Sequence, residues 1–207
     1  MRIESLRSEP DRAGRYWLTL EDGSRMGLYR QTVEDFAIFP GRDLTEQELS
    51  ELRQAAGAMS AKMRAVRIVA ASAVSGAELR QRLEHKGEDP RQAEQAVQWL
   101  QQMNLLDDGE TARQLVSRCV SRGYGIHRAR QVLYEKKIPK ELWDEALQDY
   151  PDPGDYIDSF LRQRVKAPRD SASVKRAVDA LVRRGYSYGD VRSALNRLRV
   201  DGDFLED

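Results

Sequence analysis

The chain has little of what secreted, membrane-spanning or disulfide-stabilised proteins require. Its 207 residues include one cysteine, Cys119, which excludes an internal disulfide and is typical of a reducing compartment. No apolar run reaches the length of about eighteen residues that a membrane span needs. The first thirty residues carry five acidic side chains and no continuous apolar core, which is unlike a secretory signal peptide. We therefore expect a cytoplasmic protein without a membrane segment.

Residue types that support metal, nucleotide or nucleophile chemistry are also scarce. His85, His127 and Cys119 lie far apart in the sequence, so no pair has the spacing of metal ligands, and both histidines are expected to face solvent. No stretch matches a Walker phosphate-binding loop, and Gly123-Tyr124-Gly125 lacks the further glycine of a dinucleotide-binding motif. Cys119 lies on an apolar helix stripe and is expected to be a buried core residue. These observations predict a protein that is not an enzyme and binds no cofactor or metal.

The chain has no net charge as a whole, but its parts are charged. Lys and Arg together number 34, as do Asp and Glu, and charged residues make up 33% of the sequence, above the roughly 25% of an average soluble domain. Residues 141–159 hold seven acidic side chains and no basic one. Residues 160–199 hold eleven basic and three acidic side chains, a local net charge of +8. An acidic block is therefore followed by a basic segment.

A helical pattern recurs three times with a period near fifty residues. Six of seven marker positions are apolar or glycine in every copy. The markers are Leu79, Leu83, Gly87, Ala93, Ala96, Val97 and Leu100 in the first copy, Ala129, Leu133, Lys137, Trp143, Ala146, Leu147 and Tyr150 in the second, and Ala177, Leu181, Gly185, Val191, Ala194, Leu195 and Leu198 in the third. Such a period is typical of a stacked helical array, in which each repeat buries its apolar face against its neighbours.

The N-terminal residues follow a different pattern. Apolar and polar side chains alternate on both sides of Asp22-Gly23, a favoured hairpin turn, and Ile3 to Leu6 is the candidate third strand. Thr45 and Glu48 have the spacing of a capping box, which indicates the start of a helix. Residues 1–58 are therefore predicted to form a small α/β module.

We predict a mainly α fold, an elongated tandem array of three three-helix repeats preceded by the α/β module with its β-hairpin. The module takes residues 1–58, and the repeats take residues 59–108, 109–151 and 152–207. A competing register would align Arg122-Gly123-Tyr124 with Arg184-Gly185-Tyr186 and shift the third repeat by one helix. We reject it because the chain would then end before that repeat's third helix. The chosen register completes all three helices near Arg199, with a linker around Ala167 to Ser171.

Arginine is the one feature that indicates a binding function. Guanidinium groups suit phosphate oxygens and carboxylates alike, so an arginine-rich helix surface is compatible with nucleic acid or with an acidic protein groove. For any single arginine, a merely solvated helix face is the alternative. The candidate contact residues are Arg80, Arg82, Arg118, Arg122, Arg128 and Arg130 in the first two repeats, and Arg162, Arg164, Arg176, Arg183, Arg184, Arg192 and Arg197 in the third.

Short motifs also occur in a fixed order between residues 60 and 199. They are Ser75-Gly76-Ala77-Glu78-Leu79 with Leu83 and Lys86-Gly87, then Leu105-Leu106-Asp107-Asp108 with Ala112, then Gly125, Ile126, Arg128, Arg130 and Leu133, and finally Arg184-Gly185-Tyr186-Ser187-Tyr188. This order resembles the RecX family of bacterial regulatory proteins, with its S-x-x-E-L-x-x-x-L-x-x-K-G, L-L-D-D and R-G-F-x-Y motifs. No one of the motifs is very specific, whereas their order and spacing together are.

Two positions depart from the family pattern. Lys137 stands where the second K-G motif has glycine, and this bears on the turn there, because lysine adopts left-handed helix-end geometry poorly. Ala73-Val74 stands where an arginine often precedes the first serine, which argues against a basic contact at that point. Neither departure touches the helical framework.

The resemblance implies a monomeric regulator that binds the RecA recombinase, usually as a RecA filament on single-stranded DNA. Lodging along the filament groove would limit ATP hydrolysis, strand exchange and the co-protease activity behind the SOS response, and so would act on DNA repair and DNA recombination. The expected partner is therefore RecA protein or the RecA filament. The alternative is a direct DNA-binding helical-repeat protein that uses the basic face of the third repeat.

Overall fold

The computed structural model describes residues 1–165 and 171–203, with side chains described as far as residue 198. These residues form three strands followed by ten α-helices, which confirms the prediction of a mainly helical chain with a small N-terminal sheet. Most of the predicted linker around Ala167 to Ser171 and the side chain of Arg199 lie outside the described residues. The chain divides into two units, Met1–Leu106 and Asp107–Asp207. The finer division into a module and three repeats stays a prediction.

The predicted hairpin and its third strand are both present at the start of the first unit. Strands β1 (Ile3–Leu6), β2 (Arg15–Leu20) and β3 (Arg25–Tyr29) form an antiparallel sheet in that order. Gly23 turns the hairpin with a φ of 79°, a left-handed conformation that glycine adopts without strain. Leu18, Leu20 and Leu28 share one face of the sheet and are fully buried.

Two helices follow the sheet, and the predicted capping box begins the second of them. Helix α1 (Arg30–Asp35) leads to the long helix α2 (Glu46–Ala71). The Thr45 hydroxyl accepts a hydrogen bond from the Glu48 amide at 3.1 Å, and the Glu48 carboxylate accepts one from the Thr45 amide at 2.8 Å. That amide bond lowers the pKa of Glu48. Within the described part of the chain, no helix, α2 included, is long and apolar enough to cross a membrane.

Helix α2 contributes to two separate cores. Its first part packs on the sheet through Leu49, Leu52 and Ala56. Its second part packs against helices α3 (Gly76–His85) and α4 (Pro90–Gln102). That second core contains every apolar marker of the first repeat and consists of Ala61, Ala65, Val74, Leu79, Leu83, Ala93, Ala96, Val97, Leu100 and Leu106. The repeat period therefore predicted which helix faces are buried in this unit.

The second unit begins with helices α5 (Asp108–Ser121) and α6 (Ile126–Glu135), a 3-10 turn (Lys140–Leu142) and the short helix α7 (Trp143–Leu147). Their core consists of Ala112, Leu115, Val116, Cys119, Ala129, Leu133, Ile138 and Leu147. Cys119 is 4% exposed, so its predicted place in the core is confirmed. Burial raises the pKa of its thiol, which disfavours the reactive thiolate.

Three further helices complete the described part of the second unit. They are α8 (Pro153–Arg164), α9 (Ser171–Arg183) and α10 (Tyr188–Asp203). Their core consists of Ile157, Leu161, Val165, Ala177, Leu181, Tyr186, Val191 and Ala194. The marker positions Ala177, Leu181, Val191 and Ala194 are all buried, which supports the alignment of this segment with the first two copies.

A left-handed turn of one kind follows helices α3, α6 and α9. Gly87, Lys137 and Gly185 occupy equivalent positions with φ angles of 85°, 55° and 89°. In each turn the next amide donates across the helix end, and the Ile138 amide does so to Leu133 O at 3.0 Å. The turn at Lys137 therefore has the left-handed geometry that glycine favours, although a lysine in this conformation is sterically strained.

We predict that Lys137→Gly stabilises the protein by about 1 kcal/mol, because it removes the left-handed strain of a residue that has a Cβ. Lys137 is exposed, so the substitution loses no packing. Urea denaturation should show a higher midpoint at an unchanged slope. Lys136→Gly is the matched control, because Lys136 has a φ of −85° and glycine there should destabilise the protein. A Lys137→Gly variant that is no more stable than the parent would contradict the strain argument.

Candidate partner-binding site

The two Arg-Gly-Tyr motifs that compete for one register contact each other in the structure. Residues 122–124 lie in the turn between α5 and α6, and residues 184–186 lie in the turn between α9 and α10. The Gly125 amide donates to the Arg184 carbonyl at 2.8 Å, and the His127 amide donates to the Gly185 carbonyl at 3.3 Å. We call this contact, formed by residues 122–128 and 184–186, the glycine joint.

Glycine is required at the joint because the two backbones lie too close for a side chain between them. A Cβ on Gly125 would lie 2.3 Å from the Gly185 carbonyl oxygen, and a Cβ on Gly185 would lie 2.4 Å from the Arg128 amide nitrogen. A Cβ on Gly123 would lie 2.3 Å from the ring of Tyr156. The first two contacts are with backbone atoms, which cannot move away as a flexible side chain can.

Arg184 closes the joint from one side. One of its terminal nitrogens, Nη1, donates to the Arg122 carbonyl at 2.9 Å and to the Tyr156 hydroxyl at 3.0 Å. Its guanidinium also lies 5.8 Å from the centre of the Phe160 ring, within the range of a cation–π contact. These partners all belong to the second unit, so the Arg184 side chain is already engaged in holding the fold together.

Tyrosines pack around the same joint. Tyr186 is stacked on Tyr156 with ring centres 5.3 Å apart, and its hydroxyl donates to the Gly123 carbonyl at 3.3 Å. The Tyr150 hydroxyl donates to the Tyr124 carbonyl at 2.7 Å, and burial raises the pKa of Tyr150 to about 12. Burial also moves the pKa of Tyr186 well above its usual range. Both phenols therefore stay protonated at neutral pH and keep their donor hydrogens.

Seven of the thirteen candidate arginines have a side-chain partner among the described residues. Arg184 is one of them. Arg80 pairs with Glu94 at 3.2 Å, and Arg82 with Glu78 at 2.5 Å. The other four are Arg128 paired with Glu135 at 3.4 Å, Arg197 paired with Asp158 at 2.9 Å, Arg164 placed 5.6 Å from the Phe160 ring centre, and Arg176 bonded to the Ala172 carbonyl at 3.2 Å. Both candidates of the first unit are thus ion-paired.

The remaining six candidates are exposed and make no ion pair or side-chain hydrogen bond with a described residue. They are Arg118, Arg122, Arg130, Arg162, Arg183 and Arg192. All six belong to the second unit. We call them the free arginines. Their role as contact residues stays a prediction, but no carboxylate of the described residues forms an ion pair with them.

The joint brings Arg122, Arg128 and Arg184 close together, whereas Arg80 and Arg82 belong to the other unit. Sequence reasoning treated the two Arg-Gly-Tyr motifs as alternatives for one position and missed that they are partners. The repeated motif was only part of the signal, because Gly185 belongs to it but Gly125, the glycine that lies against Gly185, stands just after the first copy.

The described residues hold no group of three or more side chains that could bind a metal ion. His85 and His127 are exposed, as predicted. The structure therefore offers no assembled metal centre in its described part, and the absence of a cofactor stays an expectation.

The fold defines the class of protein: a mainly helical chain that follows a small N-terminal antiparallel sheet. A family model for the second three-helix domain of RecX matches residues 107–147. The chain is 31% identical to regulatory protein RecX of Halorhodospira halophila over 144 residues, which is 67% of this chain and 89% of that protein. It is 23% identical to regulatory protein RecX of Clostridioides difficile over 203 residues, 95% of this chain and 94% of that one. The chain therefore belongs to the RecX family.

Solved structures of RecX proteins have the same fold. A crystal structure of a regulatory protein RecX superposes with a TM-score of 0.65 at 18% identity, over 93% of this chain and 98% of that chain. RecX from Lactobacillus salivarius gives a TM-score of 0.61 at 15% identity, over 70% of this chain and 97% of that one. The relatives from Halorhodospira halophila and Clostridioides difficile are both named as regulatory proteins.

Proposed function

We propose that this protein binds RecA, in the form of its filament on single-stranded DNA, and inhibits its ATP hydrolysis, strand exchange and co-protease activity. Membership of the RecX family supports the regulatory part of this proposal. The observation that carries it to particular residues is that six of the eleven candidate arginines in the second unit are free, whereas both candidates in the first unit are ion-paired. We therefore propose the second unit as the main contact surface.

Free arginines suit such a contact for an energetic reason. An arginine that already holds a carboxylate must give up that partner, or share it, when it binds an acidic surface or a phosphate. A free arginine exchanges only water for its new partner, and its planar guanidinium can hold two oxygens at once. Arg80 and Arg82 would have to give up or share a carboxylate partner on binding, whereas Arg130 and Arg183 would not.

The proposed mechanism needs no chemistry from this chain. A monomer in the cytoplasm would occupy the filament groove across RecA subunits and oppose the movements that accompany ATP hydrolysis. A ligand can shift a conformational equilibrium only by its differential affinity for the states, so inhibition requires tighter binding to a less active filament state. The regulator therefore acts by occupancy, and its effect should depend on its ratio to RecA.

We expect the purified full-length protein to slow ATP hydrolysis by RecA on single-stranded DNA, with half-inhibition below a one-to-one ratio to RecA. Steady-state ATP hydrolysis measures this directly, and filament length by electron microscopy gives a second readout. Unchanged hydrolysis and filament length at severalfold excess over RecA would contradict the proposal. DNA without RecA forms the second arm of the same experiment.

A direct DNA-binding function is the second candidate, and the same free arginines favour it. Contacts with phosphates release counterions, so this function predicts binding to DNA alone that weakens steeply with salt. Strong binding to DNA alone, with no additional effect on RecA beyond competition for the strand, would favour this candidate. Weak or absent binding to DNA alone, together with inhibition of RecA, would favour the proposal that the protein binds the RecA filament.

A further inference from the structure

A cavity lies beside the glycine joint, within the second unit, and its lining contains no arginine. Its volume is about 500 Å³, within the range of small-ligand clefts. It opens between the α5–α6 turn, the segment that leads into α8, and the α9–α10 turn. Four tyrosines line it, namely Tyr124, Tyr150, Tyr156 and Tyr186.

The polar part of the lining is acidic. Asp152, Asp155 and Asp190 all line the cavity, and none of its lining residues is Lys or Arg. Asp152 uses one carboxylate oxygen to accept the Gly154 amide at 2.7 Å, and Asp190 uses one to hold the Ser187 hydroxyl at 2.6 Å. Among the described residues, the second oxygen of each and both oxygens of Asp155 accept no hydrogen bond. Each of these three exposed aspartates therefore keeps at least one carboxylate oxygen that accepts no hydrogen bond from a described residue.

Two arginines close to the cavity, Arg184 and Arg197, make no ion pair with these carboxylates. Arg184 donates to the Arg122 carbonyl and to the Tyr156 hydroxyl, which itself lines the cavity, but it makes no ion pair with the three aspartates. Arg197 lies near Gly154, but its guanidinium is bound to Asp158 at 2.9 Å. The cavity is thus lined by aspartates and tyrosines, in the same unit that carries the free arginines.

We propose that this cavity receives an arginine side chain of a protein partner. Phosphate is excluded as its occupant because three carboxylates would repel it at short range. An arginine fits both kinds of lining, since a guanidinium packs on aromatic rings and donates in parallel to carboxylate oxygens. The cavity would therefore recognise a basic side chain, whereas the free arginines recognise acidic groups. The proposal goes beyond RecA binding and holds for any protein partner that presents such a side chain.

An isotope-labelled full-length chain can test the cavity without any knowledge of the partner. N-acetyl-arginine methylamide serves as the probe, and its citrulline analogue is a neutral control of nearly the same shape. We expect saturable NMR shifts of the Gly125, Tyr156 and Ser187 amides with the arginine probe. Because citrulline has no charge for the carboxylates, its affinity should be lower by about fivefold or more.

Charge removal at the cavity provides the matched variants. The double variant Asp155→Asn with Asp190→Asn should lower the affinity for the arginine probe by about threefold or more. Asp179→Asn removes an exposed carboxylate of α9 that does not line the cavity, and it should leave the affinity unchanged. The proposal is overturned if arginine and citrulline bind equally, if the shifts lie only outside the cavity, or if inorganic phosphate or the lysine analogue binds there more tightly than arginine.

Discussion

Replacing Gly185 by alanine is expected to destabilise the second unit by about 2–5 kcal/mol, a large effect for a single methyl group. Two costs combine at this position. Gly185 has a φ of 89°, a conformation that costs a residue with a Cβ about 1–2 kcal/mol. The added Cβ would also lie 2.4 Å from the Arg128 backbone nitrogen, and such overpacking costs about 1–3 kcal/mol.

Gly87→Ala is the control that separates these two costs. Gly87 occupies the equivalent turn of the first repeat with a φ of 85°, but nothing lies within 4 Å of where its Cβ would be. Gly87→Ala should therefore lower the free energy of unfolding only by the cost of the left-handed conformation, about 1 kcal/mol. Urea denaturation gives the stabilities, and hydrogen exchange should place the loss of protection from Gly185→Ala in residues 107–203. Equal destabilisation by the two substitutions would mean that the close backbone contact at the joint is not a constraint.

Much of the fold follows from signals that are local in the sequence. The helix period predicted the buried faces, and Leu79, Leu133 and Leu181 occupy equivalent buried positions in the three copies. The capping box at Thr45 predicted where α2 begins, because the pattern satisfies two free amides within four residues. Each of these features depends on neighbours three or four positions away, which a sequence displays directly.

The continuity of helix α2 was harder to predict, because the sequence near its middle neither ends a helix strongly nor favours one strongly. Gly57 weakens a helix by only about 1 kcal/mol relative to alanine, so packing on both cores outweighs it. The helix therefore passes residue 58, where the change in pattern suggested a boundary. The pattern changes there because α2 leaves one core for the next and not because the helix ends.

The candidate site depended on contacts that no period reveals. Some arginine pairs were accessible to sequence reasoning, since Arg82 and Glu78 lie four residues apart on one helix. The pair between Arg197 and Asp158 joins residues 39 positions apart, and the bond from Arg184 to Arg122 spans 62 positions. Such contacts decide which arginines are unpaired, so composition could suggest an arginine surface but could not say which of its side chains are free.

The same reasoning changes which substitutions can test the contact surface. Arg184 is unsuitable for a charge-reversal experiment, because its loss would break the glycine joint and lower stability together with any affinity. Arg183, its neighbour, is exposed and makes no ion pair with a described residue. A test that combined both arginines would confuse binding with folding.

Reversing the charge of three free arginines is expected to raise the half-inhibiting concentration for RecA ATP hydrolysis by about 100-fold. The variant combines Arg130→Glu, Arg183→Glu and Arg192→Glu, which are exposed and unpaired among the described residues. A charged contact at an interface contributes on the order of 1 kcal/mol, and three of them correspond to about a hundredfold change in affinity. Hydrogen exchange and urea denaturation should show an intact fold, because none of the three holds another side chain.

The matched control is a triple reversal in the first unit that changes the net charge by the same amount. Arg12, Arg25 and Arg91 are exposed and make no ion pair with a described residue, so their change to glutamate should shift half-inhibition by less than about threefold. Equal losses in both variants would indicate that overall charge, and not the second unit, governs the effect. Binding to DNA alone separates the two candidate functions, since a direct DNA contact predicts a salt dependence that falls by about 0.7 per lost phosphate contact on a single strand. Retained inhibition in the second-unit variant would place the contact elsewhere.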